Sequence, residues 1–329
     1  MDSRSPLICC QAENSESNAI PLYNRRVARP RHPVRHSSVT TFEFYRFRFH
    51  FRALGRVNFP HGKSTNVVRG AFGTVLRQSA TAEDYARLFE PGTALGKSPS
   101  GLADWPRPLV FRASHLDGVT LPVGAAFFVD VHVFDLRAPV LAPLRAAFAE
   151  LGRCGIGPGR GRAELERVEQ VDLAEVAAEV ADAPGAPSIV TFQPAPLAVD
   201  RVAIRFLTPT ELKTRGGTAD RPEFAVLFGR LRDRVGTLRA LYGAGPLDID
   251  FRGMGQRAAA VRLSRSALHW ERVIRRSGRT GQVHPLGGFT GEAEYEGDLA
   301  EFLPWLRAGR WVGVGRHTVW GKGDFRVVP

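Results

Sequence analysis

The chain has 329 residues, 43% of them hydrophobic, enough apolar material for one large domain or two of ordinary size, which excludes disorder throughout. Lys and Arg outnumber Asp and Glu by 45 to 33, a formal charge of +12 with a pI near 10.5; this points to a polyanionic partner or to a basic but otherwise ordinary enzyme. With three cysteines, two of them Cys9 and Cys10, neither a disulfide framework nor a cysteine metal site can be assembled. The absence of a run of about 18 apolar residues, and of an apolar signal core, predicts a soluble, cytoplasmic chain without a membrane partner.

Residues 1–41 are rich in Ser, Pro, Asn and Arg without periodicity and predict a disordered leader. They carry Arg4, Arg25, Arg26, Arg29, Arg31 and Arg35 against Asp2, Glu13 and Glu16, a net +3 that leaves +9 of the +12 on the remainder. A first strand begins at Thr41, where Phe42, Phe44, Phe47, Phe49 and Phe51 lie close to alternation. After Pro60, His61 and Gly62, Ser64 reads as the cap of a helix over 65–78 with Val68, Phe72, Val75 and Leu76 on one side. Gly70 and Gly73 within it suggest close approach of another backbone. Strands are predicted over 109–113 and 125–134, then a helix over 140–151, a Gly and Arg loop over 153–162, and a short strand over 163–168.

A second pass begins near Arg201 with Val202, Ile204 and Phe206 in alternation. A helix over 223–242 places Phe224, Leu227, Phe228, Leu231, Val235 and Leu238 at steps of three and four. A hairpin-like stretch over 258–295, a helix over 299–306, a second Gly-rich loop and a last strand over 324–328 follow. Each half thus runs strand, helix, two strands, helix, glycine loop, strand, which is the βαββαβ order of the ferredoxin-like fold. The expected fold is α+β, two tandem ferredoxin-like (RRM-like) domains over 42–185 and 200–329. The likeness of the two glycine loops admits a chance origin as the alternative.

From Gly313 the chain reads G-V-G-R-H-T-V-W-G-K-G: Gly313, Gly315, Gly321 and Gly323 bracket a five-residue insert holding Arg316 and His317. Glycines admit positive φ and let a polyanion approach backbone N–H groups, while Arg316 and Lys322 supply charge. A dinucleotide or P-loop reading fails because no helix follows to receive a phosphate. RNA backbone is the expected ligand.

This loop resembles the mark of a known family, the CRISPR-associated protein six endoribonucleases of the repeat-associated mysterious protein (RAMP) superfamily, which carry a C-terminal GxGxxxxxGxG with a basic residue in the insert. Leu286 to Gly291, Tyr295, Gly297 and Asp298 are similar to that family's C-terminal domain, and Arg69 to Gly73 with the loop over 155–162 to its N-terminal one. The resemblance implies two ferredoxin-like domains that bind CRISPR repeat RNA and cut precursor crRNA without metal or cofactor. The implied step is attack of the ribose 2′-hydroxyl on the adjacent phosphate, leaving a 2′,3′-cyclic phosphate and a 5′-hydroxyl. A CRISPR effector complex is a further candidate partner.

Among the nine histidines, His32 and His36 fall in the leader, and His50 and His132 in strand-like segments suited to structural roles. His269 beside Trp270, with Arg272, Arg275 and Arg276, reads as an RNA-contacting surface or as a solvated hairpin. The resemblance implies catalytic residues around the first helix, where His61 and Lys63 stand; the segment 85–89 lacks the histidine many members carry there. The expected site is therefore His61 and Lys63 for catalysis, with His61 as a plain loop histidine the alternative. Gly313, Gly315, Arg316, His317, Gly321, Lys322, Gly323, Arg272, Arg275, Arg276, Arg160 and Arg162 are expected to bind RNA, and no residue to bind a metal. The rival readings are a non-catalytic RNA-binding RAMP subunit and a ferredoxin-like metabolic enzyme.

Overall fold

The computed structural model describes residues 39–92, 105–137, 140–181, 183–214, 216–276, 281 and 283–328. The leader expected over 1–41 lies outside them up to position 38, and Thr41 already opens the first strand. The first half runs β1 (Thr41–Ala53), β2 (Val57–Asn58), α1 (Ser64–Ser79), α2 (Ala82–Phe89), β3 (Leu109–Arg112), β4 (Thr120–Leu121), β5 (Ala126–Val133), α3 (Leu141–Cys154), β6 (Ala163–Val171), β7 (Ala177–Glu179) and β8 (Ser188–Thr191). The second runs β9 (Arg201–Thr210), β10 (Lys213–Thr214), β11 (Gly217–Thr218), α4 (Phe224–Tyr242), α5 (Phe251–Ala260), β12 (Arg262–Glu271), β13 (Ile274–Arg276), β14 (Val283–Pro285), β15 (Gly288–Glu296), α6 (Leu303–Val312) and β16 (Phe325–Val328).

The first sheet has the order β3-β5-β1-β6-β7, with β8 also on β1, and the second β12-β15-β9-β16. Taken as the four principal strands of each half, both are the 2-3-1-4 order of a split βαβ, paired antiparallel. The fold is α+β with two tandem ferredoxin-like halves.

Alternation along β1 sends its two faces to different cores. Phe47, Phe49 and Phe51 join the first half's core with α1 and α3, where Phe148 lies 4.0 Å from Phe49 and 4.6 Å from Phe72, centroid to centroid. Phe42 and Phe44, on the opposite face, belong to the second half's core, and Phe44 sits 5.5 Å from the Trp311 ring. Farther along this second face the residues turn polar and pair across strands: Arg48 with Asp130 at 2.8 Å and His50 with Glu169 at 2.6 Å.

Several local expectations are corrected. Ser64 is the first helical residue of α1 rather than its cap, and Lys63 in the cap position contributes no side-chain bond; a carboxylate from a distant loop takes that part. Gly73 packs against the Phe89 ring, where a Cβ would stand 2.7 Å from Cε1, but Gly70 faces open space. The helix expected over 299–306 is shifted to Leu303–Val312 with Pro304 in its first turn, where a missing N–H costs nothing. The stretch expected to open a hairpin at 258 is instead the end of α5, started by Asp250, whose side chain accepts from the Gly253 N–H at 2.8 Å. Among the described residues no helix is long and apolar enough to cross a membrane.

Candidate RNA-processing site

The C-terminal end of α6 is held from both halves. Its last carbonyls accept from cationic or polar side chains: Arg310 O from Arg112 Nη2 at 3.2 Å, Trp311 O from His132 Nδ1 at 2.8 Å, and Val312 O from Arg234 Nε at 2.8 Å. Arg112 and His132 come from β3 and β5 of the first half, so the helix end that launches the glycine loop is anchored on the other half's sheet. Donors at a helix C-terminus offset its partial negative charge. Burial, reinforced by nearby Arg112, pushes the His132 imidazole down to about 3, so it is neutral here and a fixed donor.

The loop that follows carries every glycine of the motif at positive φ, from 68° at Gly323 to 80° at Gly315, and His317 also sits in the left-handed region at 63°. Two positions show why glycine is required. At Gly321 a Cβ would run into the Thr65 side chain, and at Gly315 into the Glu211 carbonyl. The loop closes on itself and on the strand β9 end: Val314 N–H donates to Gly323 O at 2.9 Å, Arg316 N–H to Glu211 O at 3.0 Å, and Gly323 N–H to Pro209 O at 3.1 Å. The N–H groups of Trp320, Gly321 and Lys322 are likewise taken by loop carbonyls. The expected backbone cradle for a polyanion is therefore not offered at these positions; the glycines let the loop pack tightly.

That packing seats the loop on the first turn of α1. Gly321 lies against Thr65, the Arg69 guanidinium stacks 3.5 Å over the Trp320 ring, and Lys322 Nζ approaches the Gly62 carbonyl at 3.4 Å. Lys322 is buried, and that burial lowers its ammonium below the usual lysine range against the opposing pull of Asp117 and Glu271. Next to it stand His61, 93% exposed at its side chain, and exposed Lys63. Asp117, in the turn after Leu116, accepts from the N–H groups of Gly62, Lys63 (3.0 Å) and Ser64 (3.1 Å), and its Oδ2 lies 3.4 Å from His61 Nδ1.

The structure thus brings His61, Lys63, Gly321 and Lys322 together. Arg316 is engaged by Glu211 at 3.0 Å, with His317 Nε2 3.9 Å from the same carboxylate. Burial alone would raise Glu211's carboxyl, but the hydrogen bonds and charge of Arg316 outweigh it and leave it lowered. The first half's glycine loop lies elsewhere, packed on the segment just before His61: Gly157 against the Asn58 carbonyl and Gly161 against that of Arg56, with Arg160 and Arg162 exposed. Arg272 is exposed at the base of the β13–β14 hairpin, beside half-buried Glu271. Arg275 and Arg276 lie on β13 with side chains outside the described residues, as does that of His284 on β14. His115 stacks on Phe128 at 4.2 Å and bonds its carbonyl at 3.1 Å, and burial lowers its imidazole. Among the described residues no His, Cys, Asp and Glu group is arranged to hold a metal ion.

Sequence reasoning misses Asp117, Glu211 and the Arg69–Trp320 stack. Nothing in the chain links Asp117 to position 61. Arg69 stands out only as part of the Arg69 to Gly73 run.

The glycine loop between α6 and β16 closes a fold of two tandem ferredoxin-like halves. Residues 204–325 match the family model of the CRISPR-associated endoribonuclease Cas6, and residues 42–189 match a model described as an N-terminal domain. The match to the Cas6 family model thus rests on the C-terminal part of the chain. Comparison with curated proteins gives no match. Among solved structures it is similar to Cas6 (TTHB231) in a product complex, at 18% identity and a TM-score of 0.52 over 87% of this chain and 99% of that one. Thermus thermophilus Cas6 (TTHB231) gives 16% and 0.50 over 88% and 100%. A chain of a partial Cas6-RT-Cas1–Cas2 complex gives 12% and 0.55 over 88% of this chain and 47% of that one. Likeness at such identities speaks to the fold.

Proposed function

We propose that this chain binds CRISPR repeat RNA and cuts precursor crRNA at the surface where the C-terminal glycine loop meets the start of α1. The supporting observation is that meeting itself: with Gly321 on Thr65 and Lys322 on Gly62, exposed His61 and Lys63 of the first half stand beside the buried Lys322 of the second. In the proposed reaction the 2′-oxygen forms a bond to phosphorus as its proton leaves. The bond from phosphorus to the 5′-oxygen breaks, that oxygen gains a proton, and no water is consumed. His61 moves one of these protons through its ring nitrogen, and Lys63 faces the charge that develops on the phosphorane. Lys322 adds positive charge behind them. Arg316, His317, Arg160, Arg162 and the Arg272 hairpin are the proposed RNA contacts, with the CRISPR effector complex a candidate recipient of the product.

Incubation with repeat RNA in EDTA, followed by identification of the new ends, tests the reading. A 2′,3′-cyclic phosphate and a 5′-hydroxyl are expected, and a 2′-deoxy nucleotide at the scissile position is expected to abolish cutting. Cutting of the 2′-deoxy RNA would refute the nucleophile. Tight binding without any cutting would favour the second reading, an RNA-holding RAMP subunit.

A further inference from the structure

We propose that Asp117 is the positioning residue of His61: its carboxylate holds the Nδ1 edge of the imidazole and leaves Nε2 to exchange a proton with the RNA. This rests on the reading of His61 as the proton-transfer group.

A helix start is ordinarily capped by the residue at its own N-cap position. Here Lys63 occupies that position without a side-chain bond, and the cap comes from Asp117, 54 residues along the chain from Lys63, through bonds to the N–H groups of Gly62, Lys63 and Ser64. The same carboxylate faces His61 Nδ1 at 3.4 Å. One carboxylate therefore holds the backbone that carries the histidine and lies against the Nδ1 edge of its ring. The neighbouring Gly118 borders that ring edge, and its φ of +74° is a turn conformation suited to glycine.

The charged groups facing the ring make the choice of an acidic partner meaningful. Lys63 follows on the same chain segment, Lys322 approaches from the glycine loop, and Glu271 lies within electrostatic reach of Lys322. With two ammonium groups close by, a carboxylate at the far ring edge offsets the positive charge that passes through the ring, whether His61 takes the 2′-hydroxyl proton or returns one to the 5′-oxygen. Asp117 gains no proton in either case. In the RNA-free chain the pair is water-exposed and loose, and covering by RNA is expected to tighten it.

The ring nitrogen that carries the hydrogen is the direct readout. In the RNA-free wild-type chain, nitrogen NMR of the neutral His61 ring is expected to show the Nδ1–H tautomer in excess; the Nε2–H form in excess would overturn the proposal. Asp117→Asn, which keeps an acceptor for the backbone N–H groups, is expected to lose that excess. It should also lower kcat for repeat RNA by roughly 10- to 100-fold with KM and RNA affinity near wild type, as for the partner of a histidine that acts on substrate. An Asp117→Asn chain with wild-type tautomers and wild-type kcat would sink the idea, and if that variant does not fold the wild-type spectrum alone decides. His61→Ala cutting at the wild-type rate would instead refute the His61 reading, while the tautomer measurement still reports on the pair.

Discussion

At the scale of single residues, the site turns on side chains whose surroundings differ more than their chemistry. His61 is exposed and faces a carboxylate, while His132 is buried and locked neutral. His61→Ala is expected to lower single-turnover cleavage by roughly 10²-fold or more with RNA affinity nearly unchanged; cleavage at the wild-type rate would shift attention to His317, His115 or Tyr45. His132 yields a pH prediction. Its folded value of about 3 lies below the roughly 6.5 of an unfolded histidine, so between these limits the unfolded chain binds the extra proton. The stabilising contribution is full above pH ~6.5 and falls by roughly 1.4 kcal/mol per pH unit on acidification. Thermal unfolding from neutral to mildly acidic pH is expected to show this slope in the wild type and to lack it in His132→Asn; equal slopes would show that His132 does not titrate in that window. Residue types are readable in the chain and environments are not. His61 stands out by its place before a helix, yet Asp117 is joined to it only by folding, and no local pattern marks a turn aspartate as a distant helix's cap.

At the scale of elements, the glycine loop is a fitted piece rather than a flexible one. Gly321→Val forces a β-branched residue into left-handed backbone and into Thr65, at an expected cost of about 1–3 kcal/mol of stability. It should lift the loop from α1, so cleavage is expected to fall further than RNA affinity does; equal losses would mean that the loop only binds. Arg316→Glu sets a second carboxylate against Glu211, and is expected to weaken RNA binding by about an order of magnitude while also lowering the unfolding temperature. The motif and its neighbours in sequence are legible because glycine spacing is a local signal. That two of their N–H groups are spent on Pro209 and Glu211 is not, because those partners lie at and just past the end of β9, far along the chain. Helix α4 is legible to within a residue, since six apolar side chains at helical steps all reach the core. The helix expected over 299–306 starts later, at Leu303, which places Pro304 in its first turn, where a missing N–H costs nothing.

At the scale of the whole molecule, the positive charge predicts affinity that falls steeply with salt through release of bound counterions. Replacing Arg160 and Arg162 by Ala is expected to flatten the slope of log affinity against log salt by about 1 for each phosphate left unneutralised; an unchanged slope would place the RNA away from the first glycine loop. The duplicated strand and helix order can be read from periodicity alone. The way the halves share material cannot, because alternation in β1 names two faces without saying what covers each. Phe42 and Phe44 leave the first sheet to pack with Trp311 of the second half, and α6 is in turn capped by Arg112 and His132 of the first. The halves are consequently poor units of exchange. A hybrid that joins the first half of one relative to the second half of another inherits a seam in which β1 and α6 never fitted each other, and it should melt earlier than either parent unless the residues at 42, 44 and 311 travel together.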